Sequence, residues 1–192
     1  MSTAPTRRSE ILDAAQSLMA ERGYRGTTIA KVAERAGITD AGVLYHFGTK
    51  QDLLLAVLEH FDSQIQRDLR ELDAHGIELL RLTREWGVGM EAVPEIQSML
   101  ILLTAEYLHE GGAARDYIRG RYRSLLDRYT EAFSEAAACG DLRPDLDPEY
   151  EASALIAHLD GIRFQWFLLD REISMAESVH TYVDSTLSRL AP

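Results

Sequence analysis

Apolar residues recur along this chain at helical spacing, and glycine or small polar residues interrupt them. Ile11, Ala14, Ala15 and Leu18 follow an i, i+3, i+4, i+7 pattern, which predicts a first helix that ends near Gly23. Two short amphipathic segments and one long segment follow it. No stretch alternates between apolar and polar residues as a half-buried β-strand does. The pattern therefore predicts an all-α fold.

The two short segments are bounded by residues that favour helix ends. The first lies between Thr27-Thr28, which can cap its start, and Gly37, which tolerates the left-handed conformation of a tight turn. The second lies between Thr39 and Gly48. Its predicted inward-facing side chains are Val43, Leu44 and Phe47. Two short helices that are joined by a tight turn and packed on a third predict a helix-turn-helix.

The remaining helices are predicted to be longer. Thr49 and Asp52 form a capping-box pattern at the start of a helix whose apolar stripe continues to Leu72. Further helices are predicted over Ile77–Val93, Glu95–Glu110, Ala113–Cys139, Pro148–Leu169 and Ser174–Leu190. The sequence thus predicts about nine helices, in a three-helix N-terminal domain (1–50) joined by a long helix to an all-α domain (51–192).

Charge is divided unevenly along the chain. The net charge is −11, yet the first 50 residues carry seven Lys or Arg against five Asp or Glu. This asymmetry predicts a small basic head on an acidic body. No apolar run approaches the length of a membrane span, and the N-terminus lacks the apolar core of a signal peptide. With a single cysteine, Cys139, the composition favours a cytoplasmic protein without a membrane partner.

The outer side of the second short helix carries groups that can bind DNA. Hydroxyl, phenol and imidazole groups on an exposed helix can form hydrogen bonds with base edges and phosphates in the major groove. Nearby helix N-termini and basic residues can hold phosphate. The predicted DNA-binding residues are Arg25, Thr27, Thr28, Thr39, Asp40, Ala41, Gly42, Tyr45, His46 and Lys50.

The segment TIAKVAERAGITDAGVLYHF, residues 28–47, followed by Gly-Thr-Lys, resembles the DNA-binding segment of TetR-family transcriptional regulators. The resemblance extends over residues 8–60. It implies that Tyr45 and His46 lie at the DNA face, that Phe47 fills the three-helix core, and that Lys50 contacts phosphate. It also implies a homodimeric repressor that leaves a palindromic double-stranded DNA operator when a small-molecule effector binds. No catalytic residue, metal or cofactor is expected.

Two features of the head have alternative interpretations. Asp40 can accept a hydrogen bond from a cytosine amino group, or it can be a capping charge that repels phosphate and lowers affinity. Arg7 and Arg8 can form an arm that contacts the minor groove or phosphate, or a frayed basic end.

The resemblance also implies a ligand pocket and a dimer interface in the body. The pocket candidates are Trp86, Met90, Met99, Leu103, Tyr107 and Phe133, for which plain core packing is the alternative. The last two helices carry apolar stripes that are too broad for one small helix to bury alone. These stripes predict a four-helix dimer interface that includes Leu155, Leu159, Ile162, Trp166, Val179, Val183 and Leu187. Asp160 and Arg163 form either an inter-subunit or pocket contact, or a surface ion pair.

A second function class rests on two Glu-x-x-His motifs. Glu106 with His109, and Glu177 with His180, have the spacing by which ferritin-like bundles hold two irons. The alternative prediction is therefore a ferritin-like di-metal oxidase or an iron-binding helical bundle.

Overall fold

The computed structural model describes the backbone of residues 6–71, 74–107 and 113–192, and their side chains except at 24–25, 64–71, 103, 106–107 and 113–114. Within these ranges the chain forms ten α-helices and no β-strand. They are α1 (Arg7–Gly26), α2 (Ile29–Ala36), α3 (Asp40–Phe47), α4 (Lys50–Glu71), α5 (Gly76–Thr83), α6 (Trp86–Glu91), α7 (Pro94–Tyr107), α8 (Ala113–Ala138), α9 (Pro148–Leu168) and α10 (Met175–Arg189). The predicted all-α class is confirmed.

The first of two compact units contains α1, α2, α3, α7 and the part of α4 that ends at Leu69. α1 packs against α2 and α7, and α2 packs against α3. Buried aliphatic side chains from these helices include Ile11, Met19, Val32, Val43, Leu54, Leu58 and Met99. This burial holds α2 and α3 in place, because isolated helices of eight residues are not stable in water.

The second unit begins at Arg70 and contains α5, α6, α8, α9 and α10. α8 lies against α5 and α9, while α10 lies against α6, α9 and α5. Tyr129 is fully buried in this core, and its hydroxyl lies 3.1 Å from that of Thr83. The ring of Trp86 meets the Tyr129 ring edge-on, with centroids 6.1 Å apart. The hydrogen bond gives both buried hydroxyls a partner, and burial raises the pKa of Tyr129.

The segment predicted as one helix over Ile77–Val93 is divided in the structure. α5 ends at Thr83 and α6 begins at Trp86, with a turn between them. A Cβ atom on Gly87 would lie 2.5 Å from Cα of Ala176, so α6 approaches the start of α10 backbone to backbone. This tertiary contact sets the direction of α6. The described part of the chain therefore has ten helices where about nine were predicted.

Candidate nucleic-acid interface

Local hydrogen bonds define both ends of α2. The hydroxyl of Thr28 accepts a hydrogen bond from the N–H of Lys31 at 3.4 Å. At the other end Gly37 adopts the left-handed conformation (φ 65°, ψ 38°), and its N–H donates to the carbonyl of Glu34 at 3.2 Å. Glycine suits this turn because it has no Cβ to clash in that conformation. The predicted bounds of this helix are confirmed.

The ends of α3 are defined in the same way. The hydroxyl of Thr39 accepts from the N–H of Gly42 at 3.1 Å. Gly48 terminates the helix with φ +73°, and its N–H donates to the carbonyl of Leu44 at 2.7 Å. Eight residues are thus presented as a helix with fixed ends.

The predicted capping box sets the start of α4. The hydroxyl of Thr49 accepts from the N–H of Asp52 at 3.1 Å, and the Asp52 carboxylate accepts from the N–H of Thr49 at 3.1 Å. Lys50 is consequently the first residue of α4. It is half-buried, and burial lowers its pKa. Free N–H groups make a helix start favourable for anions, and a lysine there adds a positive charge.

The outer face of α3 is polar and aromatic. Tyr45 is 87% exposed, although Val43 and Phe47, two positions to either side, are buried. His46 is also exposed, and its ring meets that of Tyr45 edge-on with centroids 5.5 Å apart. At the start of the helix the exposed residues are Thr39, Asp40 and Ala41, and Gly42 is half-buried. This face can present hydrogen-bonding groups and an apolar surface to a base-pair edge.

Two predicted side-chain positions need correction. Leu44, predicted to face inward, is 40% exposed because it lies at the edge of the face that packs on the other helices. Thr27, predicted to contact DNA, is only 1% exposed, and its hydroxyl donates to the carbonyl of Gly23 at 2.9 Å. This bond follows a break in α1 at Gly23, where φ is +68°. Thr28 is exposed as expected, and the side chain of Arg25 lies outside the described residues.

The two basic residues of α2 form contacts with α1. Lys31 donates to the carbonyl of Gly26 at 3.0 Å, and Arg35 pairs with Glu21 while donating to Ser17 at 2.8 Å. These two side chains therefore connect α2 to α1.

The N-terminal arginines belong to a helix. Arg7 and Arg8 are the first two residues of α1. Whether they contact DNA stays a prediction. Arg7 donates to Glu10 at 2.7 Å. The guanidinium of Arg8 lies over the ring of Phe47, 5.1 Å from its centroid.

Comparisons with known proteins agree with this geometry. Residues 11–57 match the family "Bacterial regulatory proteins, tetR family", and residues 97–191 match the "BetI-type transcriptional repressor, C-terminal" family. The transcriptional regulator TtgR of Pseudomonas putida is 30% identical, over 96% of this chain and 92% of its own. The chain belongs to the TetR family of transcriptional regulators. It is a DNA-binding regulator with a ligand-binding C-terminal domain, and not an enzyme.

Solved structures of TetR-family proteins share the fold. A TetR regulator from Haloarcula marismortui superposes with a TM-score of 0.83 at 22% identity, covering 97% of this chain and 98% of its own. SmeT, the repressor of the Stenotrophomonas maltophilia multidrug efflux pump SmeDEF, superposes with a TM-score of 0.74 at 22% identity, covering 96% and 90%. Members of the family bind operator DNA, form dimers and bind small-molecule ligands.

The predicted pocket residues of this TetR-family chain fall in both compact units. Met90 and Phe133 are buried and Trp86 is half-buried in the second unit, whereas Met99 is buried in the first. Leu103 and Tyr107 lie outside the residues whose side chains are described. The role of all six residues in a ligand pocket stays a prediction.

The predicted dimer stripe is largely part of the core of one chain. α8 and α10 pack against α9 and cover most of it. Each of the following residues is at most 6% exposed: Leu155, Leu159, Ile162, Trp166, Val179 and Val183. These six side chains cannot also form an exposed dimer face, which corrects the prediction. Leu187, the remaining residue of the predicted set, is half-buried.

The Asp160–Arg163 pair lies between α8 and α9. Arg163 is 8% exposed and donates to Asp160 at 2.6 Å, while the hydroxyl of Tyr122 donates to the same carboxylate at 2.8 Å. Burial and the adjacent carboxylate raise the pKa of Tyr122 to about 12. The pair therefore connects two helices within the unit and is not a simple surface pair.

The iron-binding alternative is not favoured by the family. Glu106 and His109 lie outside the residues whose side chains are described. His180 lies 3.2 Å from Asp184 and 2.8 Å from Arg84, and Glu177 is exposed. Among the described residues, no three His, Cys, Asp or Glu side chains form a group that could hold a metal ion. None of the described helices is long and apolar enough to span a membrane.

Proposed function

We propose that this TetR-family chain is a cytoplasmic, homodimeric repressor that binds a palindromic operator and leaves it when a small molecule binds. The observation that carries the proposal is the outer face of α3. A tyrosine that is 87% exposed stands beside an exposed histidine on a helix whose two ends are fixed by Thr39 and Gly48. Such a preorganised helix suits insertion into a major groove.

The base-reading surface is proposed to be the exposed side of α3. At 100° per residue, Ala41 and Tyr45 lie opposite the buried pair Val43 and Phe47, so they face the floor of the groove. Asp40, at the edge of this surface, either accepts from cytosine or repels phosphate. In a dimer, two α3 helices that enter successive major grooves would stand about 34–36 Å apart.

Phosphate contacts are proposed at the two helix starts beside α3. Thr28 caps α2 and is exposed, and Lys50 opens α4. Both positions combine free N–H groups with the positive end of a helix dipole. The hydroxyl of Thr27 is left out of this set because it already donates to Gly23.

The dimer face is proposed to be the exposed side of α9, in place of the buried stripe. Its two largest apolar residues, Phe164 and Leu168, are 55% and 67% exposed and lie one turn apart. Ala157 is exposed on the same side, and a Cβ on Gly161 would meet nothing within 4 Å. Small residues next to large ones on one helix side let the same helix of a second copy approach closely, as a two-fold interface requires.

The effector is proposed to bind in the acidic body and to favour a dimer whose α3 helices no longer match the operator. It must bind the released form more tightly than the DNA-bound form. A tenfold preference corresponds to about 1.4 kcal/mol of coupling.

Selection of duplexes from a random library by the purified protein tests the proposed function. We expect a palindromic consensus whose half-sites are centred about one helical turn apart. A library without enrichment, at several salt concentrations, would contradict sequence-specific binding.

Variants of α3 and α4 test the residue roles on the selected duplex. Tyr45→Ala should lower affinity by about 10-fold or more and change the sequence preference, since a base contact contributes about 1–3 kcal/mol. Tyr45→Phe is the matched control that removes only the hydroxyl. Lys50→Ala should weaken binding to all duplexes alike. Affinities equal to wild type for both alanine variants would contradict the assignment.

Charge placed on α9 tests the dimer face. Phe164→Glu should yield monomers in analytical ultracentrifugation, because it places two carboxylates opposite each other across a two-fold axis. Val88→Glu is the control, since Val88 is a similarly exposed apolar residue (56%) on α6. Dimers in both variants would exclude this face.

A further inference from the structure

We infer that the DNA-binding surface extends onto the first turn of α1 through Arg8, which acts as a phosphate-binding residue positioned by the ring of Phe47. This inference rests on the proposed function, because it adds a contact to the same operator. Arg7, the neighbouring arginine, differs from Arg8 because it already forms an ion pair with Glu10.

The position of Arg8 is set by the end of α3. Phe47 is the last residue of α3, and its ring is 7% exposed within the core of the first unit. The guanidinium of Arg8 lies 5.1 Å from the centroid of this ring. The ring of His46 lies 6.3 Å from the Phe47 ring. Arg8 and His46 therefore stand around one aromatic ring, at the end of the helix proposed to enter the groove.

The stacking leaves the hydrogen-bonding groups of Arg8 available. A guanidinium attracted to an aromatic face uses its charge and its flat surface, and its five N–H donors point outward from its edge. Among the residues whose side chains are described, no carboxylate pairs with Arg8, and the residue is exposed. An exposed arginine that lies over an aromatic ring and has no carboxylate partner among the described side chains is suited to a phosphate, which it can bind through two parallel hydrogen bonds.

Arg7 provides the contrast within the same helical turn. Its guanidinium donates to the carboxylate of Glu10 at 2.7 Å, so its charge is already compensated by a neighbour on α1. Successive residues on a helix point about 100° apart, and only one of the two can face α3. Two adjacent arginines of identical chemistry are thus predicted to differ in their contribution to DNA binding.

The salt dependence of operator binding tests this inference. Each phosphate contact makes the slope of log K against log salt more negative by about 0.9. The loss of Arg8 from both subunits should therefore make this slope less negative by about 1.8. At 0.15 M salt the same relation predicts an affinity loss on the order of 30-fold for Arg8→Ala. The probe is the duplex selected by the wild-type protein, measured between about 0.05 and 0.3 M NaCl.

Matched variants separate a phosphate contact from a packing effect. Arg8→Met keeps an unbranched chain over Phe47 but removes the charge, so it should show the reduced slope with near wild-type thermal stability. Arg8→Lys should retain the slope. Arg7→Ala should leave it unchanged. A wild-type slope in both Arg8→Ala and Arg8→Met would overturn the inference while leaving the proposed function intact. Absence of operator binding by the wild-type protein would overturn both.

Discussion

The two pairs of short helices in this chain, α2–α3 and α5–α6, are held by different kinds of interaction. In α2–α3, the hydroxyls of Thr28 and Thr39 accept backbone N–H hydrogen bonds at the starts, and glycines with positive φ mark the ends. In α5–α6, neither start has a side-chain cap. The break between α5 and α6 coincides instead with contacts to α10, at Gly87 and at Arg84.

This difference relates to what each pair does. In the proposed function, the α2–α3 pair must keep one conformation while one side of α3 remains free for DNA. Local capping supplies that rigidity, at about 1 kcal/mol per cap. The α5–α6 pair lies inside the second unit, and its shape depends on contacts with α8 and α10.

The largest effect is expected where α6 meets α10. Gly87→Ala should lower the free energy of unfolding by about 3 kcal/mol, because the new Cβ would overlap backbone atoms of α10 that cannot move independently. Urea denaturation measures the change. Gly89→Ala on the same helix, where a Cβ meets nothing within 4 Å, should stabilise by up to about 1 kcal/mol. Equal changes in the free energy of unfolding for the two substitutions would show that the close approach of α6 to α10 at Gly87 does not constrain the position of α6.

An intermediate effect is expected at the turn between α2 and α3. Gly37→Ala should cost about 1–2 kcal/mol, because an L-residue with a Cβ is strained in the left-handed conformation. Gly37→Asn should cost less, since asparagine tolerates that conformation. Urea denaturation gives the stabilities and operator affinity gives the function. If Gly37→Ala lost affinity without losing stability, the turn would serve DNA binding alone.

A smaller effect is expected at Arg84, which donates to Asp184 of α10 at 3.0 Å from the turn between α5 and α6. Both side chains are partly exposed, so solvent screening limits the pair to about 0.5–1 kcal/mol. Arg84→Met should destabilise by that amount in urea. The control is Arg81→Met, whose exposed partner Glu78 lies on its own helix. If both substitutions cost the same, Arg84 would have no special role at the break.

The smallest effect is expected from His158 on α9. It stacks on Tyr182 at 4.0 Å and lies 3.2 Å from the hydroxyl of Ser178. Burial lowers the pKa of His158 below its ordinary value of 6.5, so the folded chain takes up its proton less readily than the unfolded chain. The free energy of unfolding should therefore decrease as pH falls through about 6.5.

The variant His158→Gln isolates this contribution. Its urea midpoint should fall less than that of the wild-type protein between about pH 7.5 and 5.5. Identical pH dependence in the two proteins would show that His158 does not contribute.

Much of the DNA-binding head was predictable because its signals are local. Thr28, Gly37, Thr39 and the Thr49–Asp52 box each act within four residues, and each lies at the helix end that its type favours. The burial of Thr27 was not predictable from its type. It follows from the break in α1 at Gly23, which turns a carbonyl towards the threonine hydroxyl.

The sequence by itself determined the helical class, the helix-turn-helix and its capped ends, because helix periodicity and caps depend on neighbours three or four residues away. Only the tertiary structure decided which apolar stripe is core and which is exposed. Leu155 and Phe164 both lie on α9, yet the first is 3% and the second 55% exposed. Burial of any apolar side chain away from water lowers the free energy, so the apolar pattern alone does not show which side of α9 is covered. The packing of α8 and α10 against α9 determines that side.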